Sequence, residues 1–167
     1  IVAEGFEAGG HNGREETTTM CLIPLIKANC SLPLIAAGGI GSGAAMAAAL
    51  CLGAEAVQVG SKFAATHESS AHISFKNEIL NAGDGGTELT LKEITPVRLL
   101  KNEFYNEVQQ AYSNNATKEE LTQLLGRGRA KKGMFEGDLV HGELEIGQVS
   151  ATITEVISAK EIGRAHV

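Results

Sequence analysis

The chain has no tryptophan and only two tyrosines among its 167 residues. Single-stranded nucleic-acid platforms stack bases on aromatic rings inside positively charged grooves. With a formal net charge of −6, this chain offers neither. Nucleic acid and anionic membrane are therefore poor partners, and no apolar run approaches the roughly 20 residues that span a bilayer. Cysteine is scarce too. Cys21, Cys30 and Cys51 are odd in number and lack C-x-x-C spacing, which argues against a disulfide frame or a metal site. They read as reduced core thiols of a cytoplasmic protein.

Small residues take the place of aromatics. Twenty glycines and 43% hydrophobic residues allow a sizeable core in one domain. Three short apolar runs stand out: Ile1-Val2-Ala3, then Pro33-Leu34-Ile35-Ala36-Ala37 before Gly38-Gly39, then Ala56-Val57-Gln58-Val59 before Gly60. Such runs suit buried parallel strands. Between the first two, Thr17 or Thr18 can cap a helix carrying Met20, Leu22, Ile23, Leu25 and Ile26. Between the second and third, residues 43–52 are strong helix formers stopped by Gly53. This alternation predicts an α/β fold with a parallel sheet.

From about Glu68 the pattern turns mostly helical. Helices are expected over 68–82 and near 98–113. Thr117-Lys118-Glu119-Glu120 has the capping-box form and should open a helix reaching Leu125. A turn is expected at Gly133–Asp138 and a last helix from Ile146 to Ile157. Both ends read as truncated, because the chain opens inside a strand without an initiator methionine. Residues 159–167 are expected to be a non-native tail, since 161–167 resemble the in-frame translation of a sequencing adapter.

Two kinds of loop could carry chemistry. Residues 4–13 place His11 among Gly5, Gly9, Gly10 and Gly13 directly after the first run. An imidazole on such a loop is a candidate proton-transfer group; the alternative is a glycine-rich turn whose histidine merely faces water. Gly38-Gly39-Ile40-Gly41-Ser42-Gly43 joins a strand end to a helix start, where backbone N–H groups favour an anion. Its spacing is not that of a dinucleotide fingerprint, and no acidic residue ends the next strand. Paired with Gln58-Val59-Gly60-Ser61 one strand later, it matches the way (β/α)8 barrels hold a phosphate near their last strands. Tight turns that need glycine for structure alone remain the simpler alternative. His67, His72 and His141 read as surface groups, and Arg127, Arg129, Lys131 and Lys132 as a solvated face. Glu4 and Glu7 could tune His11, although Glu7 as a plain loop carboxylate is the safer reading.

Glu7-Ala8-Gly9-Gly10-His11-x-Gly13, Ala36-Ala37-Gly38-Gly39-Ile40 and Gln58-Val59-Gly60-Ser61-x-Phe63 together resemble the nitronate monooxygenases, formerly called 2-nitropropane dioxygenases. They equally resemble the flavin-dependent enoyl-acyl-carrier-protein reductases. Gly133–Asp138 through Glu145-Ile146-Gly147-Gln148 is similar to the closing segment of that family. The resemblance implies the C-terminal part of a (β/α)8 TIM barrel, about strands six to eight, with a mostly helical C-terminal segment. Residues 1–66 would bind FMN and residues 67–158 would close the same domain. His11 matches the catalytic histidine. Ala8 and Gly13 match positions lining the flavin, and Ala37 and Gly39 match flavin and phosphate contacts. Gln58, Val59, Gly60 and Ser61 match the phosphate segment, and Gln148 could face the flavin. Many members carry threonine and arginine where this chain has Ser61 and Lys62; lysine keeps the charge but loses the planar fork.

The implied activity is an FMN-dependent oxidation of alkyl nitronates with dioxygen. The alternative is an enoyl-thioester reduction driven by NAD(P)H, and a homodimer is one assembly the resemblance allows. Outside the resemblance stands a flavin-free phosphate-binding barrel, an isomerase or lyase using the same two loops. A third reading is that this length of chain does nothing by itself.

Overall fold

The computed structural model describes residues 1–165; the last two residues of the expected tail lie outside them. The chain begins with strand β1 (Val2–Glu4), a glycine loop containing the two-residue β2 (Gly10–His11), and helix α1 (Thr19–Asn29). It continues through β3 (Ile35–Ala37), α2 (Gly43–Cys51), β4 (Ala56–Gln58) and a short α3 (Ser61–Ala64). The three apolar runs pair in parallel in the order β1-β3-β4, with Ala3 opposite Ala36 and Ala36 opposite Val57.

Helix α2 forms because it is almost all alanine, the strongest helix former. The Ser42 hydroxyl accepts a hydrogen bond from the Ala45 N–H at 3.1 Å, and Gly53 follows the helix at φ +107°, where a side chain would be strained. Ile23 of α1 and Ala49 of α2 pack with Ala3 and Ala36 of the sheet and with Leu34 just before β3, and Ile40 and Ala54 complete the cluster.

The second half contains α4 (Ile73–Asn81), β5 (Thr87–Thr90), β6 (Val97–Leu100), α5 (Glu103–Ser113), α6 (Lys118–Leu125), α7 (Arg129–Met134), a 3-10 turn (Gln148–Thr152) and α8 (Ala159–Ala165). Strands β2, β6 and β5 form an antiparallel sheet in that order. Val97 and Leu99 of β6 join Leu91, Phe104, Val108 and Leu121 in one core. Leu100 joins Phe75, Ile79, Leu144 and Ile146 in another.

The expected barrel segment is therefore corrected. The described residues form two open sheets of three strands each and no closed barrel. Closing a parallel barrel takes eight strands, whereas here β1 and β4 are both edges. The tail is also less helical than expected, since a hairpin and β2 build the second sheet. Residues 97–100 are buried on both faces, so they lack the polar alternation that marks a strand. The stretch expected to be helical from Ile146 to Ile157 holds only the 3-10 turn, and Gly133-Met134 ends a helix instead of forming a turn. Cys21 and Cys51 are exposed and Cys30 is partly so, all three as free thiols; they are not core residues. No described helix is long and apolar enough to cross a membrane.

Candidate functional site

The C-terminal ends of β1, β3 and β4 open into a cavity of about 350 Å³, within the size range of small-molecule sites. Ala8 and Gly9 of the first loop, Ala37, Gly38 and Gly39 after β3, and Gln58, Gly60 and Ser61 at the end of β4 line it. Six of the residues singled out by sequence thus meet in one place: Ala8, Ala37, Gly39, Gln58, Gly60 and Ser61. Three do not. Val59 turns inward and packs on the parallel-sheet core. Gly13 lines a separate, smaller hollow with Phe6 and Glu15. His11 is exposed on β2 and does not line the cavity.

Glycine is required where backbones crowd this cavity. Gly38 and Gly39 adopt φ +90° and +71°, and a Cβ on Gly38 would lie 2.6 Å from the Gly5 carbonyl oxygen. A Cβ on Gly9 would collide with the Ile146 and Gly147 backbone, so the closing segment lies directly on the first loop. Gly60 faces open space. That leaves the backbone turn at Gly60 free of side-chain obstruction.

The loops are fixed by side chains that sequence alone does not rank. Glu7 is more than a loop carboxylate, because its oxygens accept the Thr19 N–H at 3.0 Å and the Thr19 hydroxyl at 2.9 Å. The Thr18 hydroxyl makes no cap bond, so Glu7 supplies the negative charge that the start of α1 favours. The Thr19 hydroxyl also lies 2.9 Å from the Gly38 carbonyl oxygen, tying the first loop to the turn after β3. Asn12 donates to the Ala8 and Gly10 carbonyls at 2.9 and 3.1 Å. The buried Arg98 donates to the Phe6 carbonyl at 3.0 and 3.2 Å and stacks over the Phe6 ring at 4.4 Å. At the far wall, Ser61 Oγ accepts the Gly147 N–H at 3.0 Å and the Glu7 carbonyl accepts the Gln148 N–H at 2.9 Å. The Gln148 side chain lines a different hollow, beside Gly83–Thr87.

Glu145 is the residue sequence reasoning misses here. It lines the cavity, bridges Leu99 of β6, and its Oε2 lies 2.6 Å from where a Cβ on Gly10 would be. Burial raises its pKa, and the nearby His11 opposes that rise. Two residues earlier, burial and the neighbouring Glu145 push the Glu143 carboxyl up to about 7, against the pull of Arg129. Glu4, which also lines the cavity, is likewise raised by partial burial of its carboxyl. The alternation Glu143-Leu144-Glu145-Ile146, with Leu144 and Ile146 in the core, is a period-two signal that could have found Glu145. Among the described residues, no group of three or more His, Cys, Asp or Glu could hold a metal ion.

The remaining polar residues have structural roles. His72 Nδ1 accepts the Ser74 N–H and caps α4. Arg129 is not merely part of a solvated face. It donates to the Leu124, Leu125 and His141 carbonyls and stacks over Phe104 at 4.5 Å.

A parallel sheet whose successive crossover turns wall one cavity, with an imidazole and a carboxylate beside it, defines a small-molecule-binding α/β protein. The sequence matches the family described as nitronate monooxygenase over residues 1–164. The chain belongs to the nitronate monooxygenase family, which is related to the flavin-dependent enoyl reductases and whose members are FMN-binding enzymes. A probable nitronate monooxygenase of Bacillus subtilis (strain 168) is 34% identical over 170 residues, covering 97% of this chain and 49% of that protein. The structure of FabK from Thermotoga maritima is 37% identical with a TM-score of 0.90, covering 99% of this chain and 52% of that one. A nitroalkane oxidase from Streptomyces ansochromogenes is 29% identical with a TM-score of 0.76, covering 99% and 50%. The chain spans about half the length of the curated relatives it matches most fully.

Proposed function

We propose that this chain is the cofactor- and substrate-binding portion of an FMN-dependent oxidoreductase, a nitronate monooxygenase that oxidises alkyl nitronates with dioxygen. The observation that carries this reading is the convergence of Ala8, Ala37, Gly39, Gln58, Gly60 and Ser61 on one cavity of about 350 Å³. The residues present fit FMN. Gly38, Gly39 and Gly60 leave backbone bare of side chains, and Ser61 adds a hydroxyl beside them, which suits a phosphate. Ala8, Ala37 and Gln58 would line the remainder of the cofactor, and the bound flavin supplies the capacity to accept electrons from the substrate.

His11, on the same loop as Ala8, would take a proton from a neutral nitroalkane or hydrogen-bond the nitronate oxygens. Gly13 and Val59, expected on family resemblance to touch the cofactor, are not proposed as contacts. Residues 1–66 carry the proposed cofactor contacts, and 67–158 close the same unit through Gly147 and Ser61.

A second reading, enoyl-thioester reduction by NAD(P)H, is favoured by the likeness to Thermotoga maritima FabK. Anaerobic mixing of the flavin-loaded enzyme with ethyl nitronate, NADH and NADPH in turn separates the two. Bleaching by the nitronate alone supports the monooxygenase, and bleaching by a nicotinamide alone replaces it with the reductase. In either case His11→Asn should keep FMN bound while lowering turnover about a hundredfold. Unchanged turnover would remove His11 from the chemistry.

A further inference from the structure

One side chain joins the turns after β3 and β4. Lys62 follows Ser61 directly, and its Nζ donates to the Gly41 carbonyl at 3.1 Å, across 21 residues of chain. Each turn is also anchored on its own. Ser61 Oγ accepts the Gly147 N–H at 3.0 Å, and the Ser42 hydroxyl, beside Gly41, caps α2 through the Ala45 N–H. A Cβ on Gly41 would collide with the side chain of Val149, which lines the cavity. The two turns are thus fixed, and the Lys62 stem spans them.

Charge makes this bond more than a strut. The ionisable side chains lining the cavity, Glu4 and Glu145, are both acids. Among the described residues no other cation hydrogen-bonds to either turn: Arg98 holds the Phe6 carbonyl, Arg14 the Lys92 and Ile94 carbonyls, and Lys76 the Ser69 carbonyl. The N–H groups of Ile40, Gly41 and Ser42 find no backbone acceptor among the described residues. Lys62 itself is half-buried, and the Gly41 carbonyl takes only one of its three donors.

From this placement we infer that Lys62 is the residue by which the site tells FMN from riboflavin. Its ammonium holds the two turns in register and supplies the positive charge that a phosphate dianion at the cradle requires. The inference rests on the FMN reading above. Bare N–H groups offer partial charges only, set against two carboxylates in the same cavity. A phosphate near a partly buried ammonium gains a charge-assisted attraction that water screens poorly. Riboflavin ends in a hydroxyl and draws little on that charge.

Apoprotein prepared from the flavin-loaded enzyme is titrated with FMN and with riboflavin at pH 8, where the phosphate is dianionic, and binding is followed by flavin fluorescence. Lys62→Met should weaken FMN about tenfold or more while leaving riboflavin within about twofold. Lys62→Arg, which keeps the charge, should retain most of the preference. Lys62→Gln repeats both titrations should the methionine variant fold poorly. An equal loss for both flavins would make Lys62 a strut alone, and unchanged affinities would remove it from the site. Either result overturns the inference and leaves the FMN reading standing. If the wild type binds neither flavin, the FMN reading falls and inorganic phosphate decides instead. Phosphorus NMR line broadening by the wild type but not by Lys62→Met would then uphold Lys62 as the anion's partner, and any other pattern would overturn it.

Discussion

Glu143 couples a single buried carboxyl to the stability of the whole chain. Its pKa of about 7, against an ordinary 4.5, means that the folded state holds a proton which the unfolded state has already released. Stability from this group is complete below about pH 4.5, falls as pH rises toward 7, and is level above that. The loss is on the order of 3 kcal/mol. Glu4 and Glu145, also raised by burial, act with the same sign. Glu143→Gln should flatten most of the decline between pH 5 and pH 7 in urea unfolding. An equally steep decline in the variant would assign the effect elsewhere.

At the level of elements, β6 joins the two halves of the site. Its Val97 and Arg98 pair with His11 and Gly10, and the Arg98 side chain holds the Phe6 carbonyl and the Thr87 hydroxyl. Replacing Arg98 by methionine keeps much of the volume but strands the Phe6 carbonyl, which should cost about 2–3 kcal/mol in denaturant unfolding. It should also weaken FMN binding by loosening the first loop. A stability loss without any change in FMN affinity would show that the loop holds its shape unaided. Much of the local structure here is legible in the sequence. Thr117 and Glu120 form the capping box, with bonds of 3.3 and 2.7 Å, because that motif is closed within four residues. The runs at Pro33–Ala37 and Ala56–Val59 contain strands because short apolar segments ending in glycine have few other uses. What escapes is non-local. β6 has no alternation, Arg98 looks like any charged residue, and Glu145 acquires meaning only when Gly10 approaches it from 135 residues away.

For the molecule as a whole, the parallel sheet ends on both sides without a partner among the described residues. Ile1 and Val2 are half exposed at one edge. Unpaired edges with apolar side chains recruit other strands. The 167-residue chain purified on its own should therefore self-associate at micromolar concentration, and Val2→Lys should shift sedimentation toward monomer. A monodisperse monomer at that concentration would contradict this.

The two bonds that seal the cavity, from Gly147 to Ser61 and from Gln148 to Glu7, have a further consequence for the order of assembly. Their partners are separated by 86 and 141 residues of chain. A ribosome making this protein thus completes the loops that would cradle a nucleotide long before the segment that roofs them has emerged. Until then the pocket stays unroofed, and a cofactor bound as proposed would be enclosed only once that segment had emerged.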